Sequence, residues 1–169
     1  MKEDKSTYLF FKLLDEIFGV DVKNVIETVE MQELTPIPNT PEFMKGVFVF
    51  RGHVIPVIDL REKFRLQPAP QDMRRYIIVS NFVINEEEQT MGFIVDKLID
   101  VVSLSEYDIN DFPELGSQYN IEFVKGVVKY NDQLTIILNI EKILSSVEAD
   151  IIKKATSNLD LTNAEENDK

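Results

Sequence analysis

The chain has 169 residues, 44% of them apolar, and carries 18 basic against 30 acidic side chains for a formal charge of −12. That length and apolar content suit one ordinary domain, or two small subdomains sharing a core. The acidic balance argues against nucleic acid, which proteins bind by neutralising phosphates with Lys and Arg. The absence of cysteine excludes a disulfide framework, a thiolate zinc site and a cysteine nucleophile, which makes the cell interior the natural compartment.

Tyr8 to Leu14 is an apolar run, Asp15-Glu16 a turn and Ile17 to Val20 the returning strand. Val22, Val25, Ile26 and Val29 fall at i, i+3, i+4 and i+7, which predicts one apolar face of a short helix with Glu27 pointing away from it. Thr35 to Pro41 is an extended connector, because Pro36, Pro38 and Pro41 remove donors and fix φ, and Glu42 to Lys45 leaves room for one helical turn. Val47 to Phe50 and Val54 to Ile58 read as a hairpin about Arg51-Gly52, followed by a short helix from Leu60 to Leu66 that Pro68 and Pro70 stop. Tyr76 to Ile84 is strongly β, Asn85 to Gln89 an acidic turn, and Met91 to Ser105 continues as strands. Tyr107 to Tyr119 is a loop broken by Pro113 and Gly116. Ile140, Ile143, Leu144, Val147 and Ile151 form one stripe of a closing helix that begins at Asn139. The acidic stretch 157–169 has almost nothing to bury and reads as a disordered tail. No apolar run approaches the roughly 20 residues a membrane helix needs, so neither secretion nor membrane insertion is expected.

Two stretches repeat. Gly46 to Phe64 aligns without a gap on Gly126 to Leu144 at an offset of 80, with Gly46 on Gly126, Phe50 on Tyr130, Arg51-Gly52 on Asn131-Asp132 and Asp59 on Asn139. Each copy is a hairpin whose second strand ends at Asp or Asn, good N-caps for a following helix. A weaker echo sets Gly19 to Val29 on Gly92 to Val102 at an offset of 73. The fold is thus built twice, with subdomains of roughly 15–84 and 85–145 plus the N-terminal strand.

Catalytic chemistry finds no support. His53 is the only histidine and lies at a hairpin tip, without the partners that would orient it. The six glycines are scattered, so no phosphate-cradling motif exists, and the acids at Asp108/Asp111 and Glu86 to Glu88 lack a calcium-loop pattern. No metal or cofactor is expected. Arg51 is harder to place: a turn there is satisfied by Asn-Gly or Asp-Gly, so it is either an ordinary surface arginine or a planar donor fork for a carboxylate. Val25 and Glu27 suit plain amphipathicity or a contact rim.

The run Gly46 to Arg61, with Thr35 to Pro41 before it and Val25-Ile-Glu27 earlier, resembles the CheW family of bacterial chemotaxis coupling proteins. Gly92 to Asp96 and Phe123 to Leu144 are similar too, so the resemblance spans about Tyr8 to Ala155 and makes 1–156 one CheW-like domain. It implies a mostly β fold of two SH3-like five-stranded barrels around a shared core, closed by a helix. It also implies a non-catalytic cytoplasmic adaptor, recruited to membrane-associated arrays, that couples methyl-accepting chemoreceptors to the regulatory domain of the histidine kinase CheA. The family's receptor contact falls on Val25 and Glu27, with Leu98 and Val101 across a groove; its coupling arginine on Arg51, beside Gly52; and its kinase face near Phe50, Val54 and Ile55. No kinase or receiver sequence is present. The alternatives are an adaptor for twitching motility, development or second-messenger output, and a ligand-sensing domain of the same fold.

Overall fold

The β-branched and aromatic runs become strands wherever one face finds a core. The computed structural model describes residues 4–111 and 121–167. In chain order these contain β1 (Lys5–Leu13), β2 (Glu16–Asp21), β3 (Val25–Glu30), β4 (Met44–Phe50), β5 (His53–Asp59), α1 (Leu60–Lys63), β6 (Tyr76–Ile84), β7 (Glu87–Val95), β8 (Lys97–Ser105), β9 (Val124–Tyr130), β10 (Gln133–Leu138) and α2 (Ser146–Asn167). The strands form two five-stranded mixed sheets, a first ordered β8-β1-β2-β10-β9 and a second ordered β3-β6-β7-β5-β4. Each has one parallel pair, β2 with β10 and β5 with β7. β3 leaves the β1–β2 hairpin to join the second sheet, and β8 leaves β6–β7 to join the first. Strands β2 and β7 therefore lie on the opposite side of the 15–84/85–145 division from the one expected.

The repeat holds down to single residues. Lys45 and Lys125 are each the extra residue of a bulge in their hairpins, and Ile26 and Ile99 are the extra residues in β3 and β8. Bulges bend a strand and raise its twist. Each sheet consequently curls until its two edge strands approach. Thr35, just past β3, bridges Val47 on β4 through two backbone hydrogen bonds of 2.9 Å, and Asn110, past β8, bridges Val127 on β9 through two of 2.8 Å. Gly46 and Gly126 permit that approach, since a Cβ on either would sit 2.5 Å from the carbonyl oxygen of Thr35 or Asn110. These are isolated bridges, so the ladders do not run on into the closed barrels of an SH3-like fold.

Three expected elements differ. Val22–Asn24 is a single 3-10 turn, capped by Asp21, and Val25–Glu30 is a strand rather than a helix. Four of those six residues are β-branched and pair with β6, a gain that outweighs their helical spacing. Asn139 makes no side-chain cap; after it comes only a 3-10 turn, Ile140–Lys142. The long helix begins at Ser146 instead, where Ser145 and Glu148 form a reciprocal capping box: the Ser145 N–H donates to Glu148 Oε1 at 2.9 Å and the Glu148 N–H to Ser145 Oγ at 3.1 Å. α2 buries Ala149, Ile152 and Thr156, while Val147 and Ile151 face solvent. It runs on to Asn167 with no Gly or Pro to interrupt it, and Leu159 still reaches the core. Ser145→Ala should cost about 1 kcal/mol in chemical denaturation. Most of the loop expected over 107–119 lies outside the described residues.

The main core lies between the sheets and joins Phe11, Leu13, Phe18, Ile58, Ile78 and Phe93 to Ile140, Ile143 and Ile152. Beside it sits a buried network of four charges. Asp96, in the link between β7 and β8, receives Arg61 Nη2 at 2.6 Å and Nε at 2.8 Å, the Arg75 Nε at 3.3 Å and the Leu14 N–H at 2.7 Å. Arg75 also donates to both oxygens of Asp59, at 2.8 and 2.9 Å, and Asp59 caps α1 by accepting the Arg61 N–H. The network joins the β1–β2 turn of one sheet to strand ends of the other.

Candidate partner-binding site

Arg51 and Gly52 are the central residues of a two-residue hairpin with φ of +49° and +82°. That is the left-handed pair a type I′ turn demands, which Asn, Asp and Gly tolerate best. The other two such hairpins comply in part, with Asn85-Glu86 and Asn131-Asp132. Arg51 has neither freedom from a Cβ nor a short side chain to bond its own backbone, so its place is unexplained by the turn. Its side chain supplies the reason: Nη2 donates to Glu27 Oε1 on β3 at 2.6 Å, and the guanidinium lies 4.9 Å from the centre of the Phe50 ring. Both ionised groups remain substantially open to solvent, with side chains 62% and 43% exposed. The pair contributes little to stability but leaves charged atoms of both residues reachable by a partner.

The residues expected to bind receptor occupy the edge strands of both sheets. Val25 opens β3, half-buried against the inter-sheet core, and Glu27 is exposed two residues on, past the bulge at Ile26. Leu98 on β8 packs on the same core cluster, whereas Val101 on that strand is 59% exposed. Val25 and Leu98 are thus joined through one core. Of the residues expected to meet the kinase, Phe50 and Val54 are half-buried on the β4–β5 hairpin, but Ile55 is only 2% exposed and belongs to the core with Phe48, Val57 and Ile77. Its position on β5 turns its side chain inward, unlike that of Val54. Val49, paired with Val54 across the hairpin and 65% exposed, is the aliphatic surface that sequence reading missed. Alternation alone sets Val49 on the face of the buried Val47, but it lies one residue from the end of β4, and the uniformly apolar run Val47 to Phe50 gives no sign of the difference.

Among the described residues no three His, Cys, Asp or Glu side chains converge to hold a metal ion. No described helix is long and apolar enough to cross a membrane. The space bounded by Phe11, Val20, Leu60, Ile78, Phe93 and Ile143 between the sheets is too small for one water molecule, which leaves a ligand-sensing role without a pocket there.

Two curled sheets thus carry exposed residues on their edge strands, an arginine in the left-handed region at a hairpin tip and an open ion pair. Residues 7–148 match the family described as CheW-like domain. The chain is 36% identical to the chemotaxis protein CheW of Klebsiella aerogenes, over 86% of this chain and 85% of that one. It is 30% identical to protein FrzA of Myxococcus xanthus, over 82% and 85%. The crystal structure of the scaffolding protein TtCheW from Thermoanaerobacter tengcongensis superposes with a TM-score of 0.73 at 30% identity, covering 87% of this chain and 92% of that one. The chain belongs to the CheW-like family, the non-catalytic scaffolds of chemotaxis signalling.

Proposed function

We propose that this chain couples the cytoplasmic tips of methyl-accepting chemoreceptors to the regulatory domain of a CheA-type histidine kinase within a chemosensory array. The observation that carries the reading is the Arg51–Glu27 pair, which brings the expected coupling residue and an expected receptor contact into one open site on an edge strand. The receptor's coiled-coil tip would lay an apolar stripe along Val25, Leu98 and Val101, a helix-in-groove contact in which a few aliphatic anchors carry most of the affinity. Phe50 and Val54, with Val49, would take the kinase. Each contact is small, so affinity in an array comes from linking many of them. Resemblance to FrzA as well as to proteins named for chemotaxis supports a second reading of the output, in which the same coupling serves twitching motility, development or second-messenger control.

Calorimetry against a receptor cytoplasmic fragment and a kinase regulatory domain tests this. Val25→Asp should weaken receptor binding about tenfold or more while sparing the kinase, and Val54→Asp should do the reverse. Circular dichroism of each variant guards against unfolding. Wild-type affinity in both variants, or no saturable binding to either partner, sinks the reading.

A further inference from the structure

The internal repeat carries the Arg51–Glu27 site into the other half of the molecule. At the offset of 73, Glu27 corresponds to Asp100 on β8, and at the offset of 80 the hairpin end Phe50-Arg51 corresponds to Tyr130-Asn131 at the end of β9. The correspondence is physical as well as sequential. Tyr130 Oη donates to Asp100 Oδ2 at 2.5 Å, linking β9 to β8, the two edges of the first sheet, as Arg51 links the β4–β5 hairpin to β3 across the second. Both acids follow directly on the bulge residue of their edge strand, Ile26 or Ile99, where the twist is greatest. The Tyr130 ring is fixed in addition, edge-to-face on Phe10 with centroids 5.0 Å apart, and Phe10 is the cross-strand partner of Asp100. Asp100 Oδ1 accepts the Val101 N–H at 2.8 Å, so the same carboxylate also orients the backbone of the exposed Val101.

We infer that Asp100 and Tyr130 are positioning residues for partner binding: they clasp the β8 edge so that Leu98 and Val101 are presented in one fixed geometry. A bulged edge strand bonded on one side only is otherwise the most easily displaced element of its sheet. The hydroxyl of Tyr130, with the Val101 N–H, holds the Asp100 carboxyl below the usual carboxylate range, and the carboxylate in turn raises the phenol, as expected of a charge-assisted bond. The two halves differ in the donor. An arginine in one and a phenol in the other give the pseudo-symmetric edges different charge, so that one curled sheet presents an open ion pair and its copy a netted anion.

The inference rests on the receptor reading above, and Tyr130→Phe tests it by removing one oxygen while keeping the ring on Phe10. Its binding to a receptor cytoplasmic fragment should weaken about five- to tenfold, the loss of one hydrogen bond to a charged acceptor. Binding to the kinase regulatory domain should be unchanged, and amide exchange should quicken at β8 but not at β3. Asp100→Asn, which keeps an acceptor for the phenol, should retain most of the affinity, whereas Asp100→Ala, which also frees the Val101 N–H, should lose at least as much as Tyr130→Phe. Equal weakening toward receptor and kinase overturns the inference, because it marks a general loss of fold. Wild-type receptor affinity in Tyr130→Phe overturns it alone when Val25→Asp still loses the receptor, and together with the receptor reading when Val25→Asp binds normally.

Discussion

Asp96→Ala is expected to lower the unfolding free energy by about 3–5 kcal/mol in urea titration, an effect large enough to unfold many proteins of this size. Removing the carboxylate strands Arg61, only 4% exposed, without the partner that balances its charge, leaves Arg75 to Asp59 alone, and frees the Leu14 N–H in a turn whose φ is +56°. The sign with pH is set by the same contacts. Burial raises the Asp96 carboxyl, but the Arg61 fork, the Leu14 N–H and the charges of both arginines outweigh it and hold the group below its ordinary value. Its contribution is therefore complete above the unfolded carboxylate value of about 3.9 and is lost as pH falls through the lower folded value. Asp96→Asn should flatten that acid limb of the stability profile. An unchanged limb would show that other carboxylates govern acid unfolding.

Gly46→Ala is the second substitution expected to be severe, at about 2–5 kcal/mol, because two separate costs meet there. The new Cβ would press on the Thr35 carbonyl, with contacts of 2.5 Å to oxygen and 2.8 Å to carbon, and φ is +146°. Two sister glycines separate the costs. Gly126→Ala meets the Asn110 carbonyl at the same 2.5 Å without the positive φ, and Gly52→Ala has φ of +82° with nothing within 4 Å. Denaturation should rank Gly46 as the most damaging, and Gly52→Ala should cost about 1 kcal/mol. If all three cost the same, the edge-closing bridges are not what constrains these positions.

The repeat was legible because glycines and turns that make close approaches admit few substitutes. Gly46 and Gly126 reappear at one spacing for that reason. β3 was illegible because Val22, Val25, Ile26 and Val29 satisfy helical spacing and β propensity at once, and only pairing with β6 decides between them. Ser145 to Glu148 did announce the start of α2 and was overlooked in favour of Asn139. At the site, exposure of Glu27 and the turn position of Arg51 could be read locally, but their pairing across 24 residues could not. The buried charges were hidden more deeply: Asp96 closes an apolar run, and its partners lie 35 and 21 residues away. The burial of Ile55 was hidden because a uniformly apolar strand conceals which face is outward.

The exchange of β3 and β8 between sheets has a consequence for synthesis. The β1–β2 hairpin leaves the ribosome first, yet its neighbours are β8 and β10, so Leu9 waits for Val101 and Phe18 for Ile136. At about 5–20 residues per second, the interval between translating Asp21 and Leu138 is roughly 6–23 seconds. Phe10 and Phe11 meet β8 only once Ser105 is made, and Phe18 meets β10 only at the end of the interval. The second sheet, β3 to β7, is complete once Val95 is made, so the two halves of this twice-built protein close at different stages of elongation, and the strands made first are among the last to be covered.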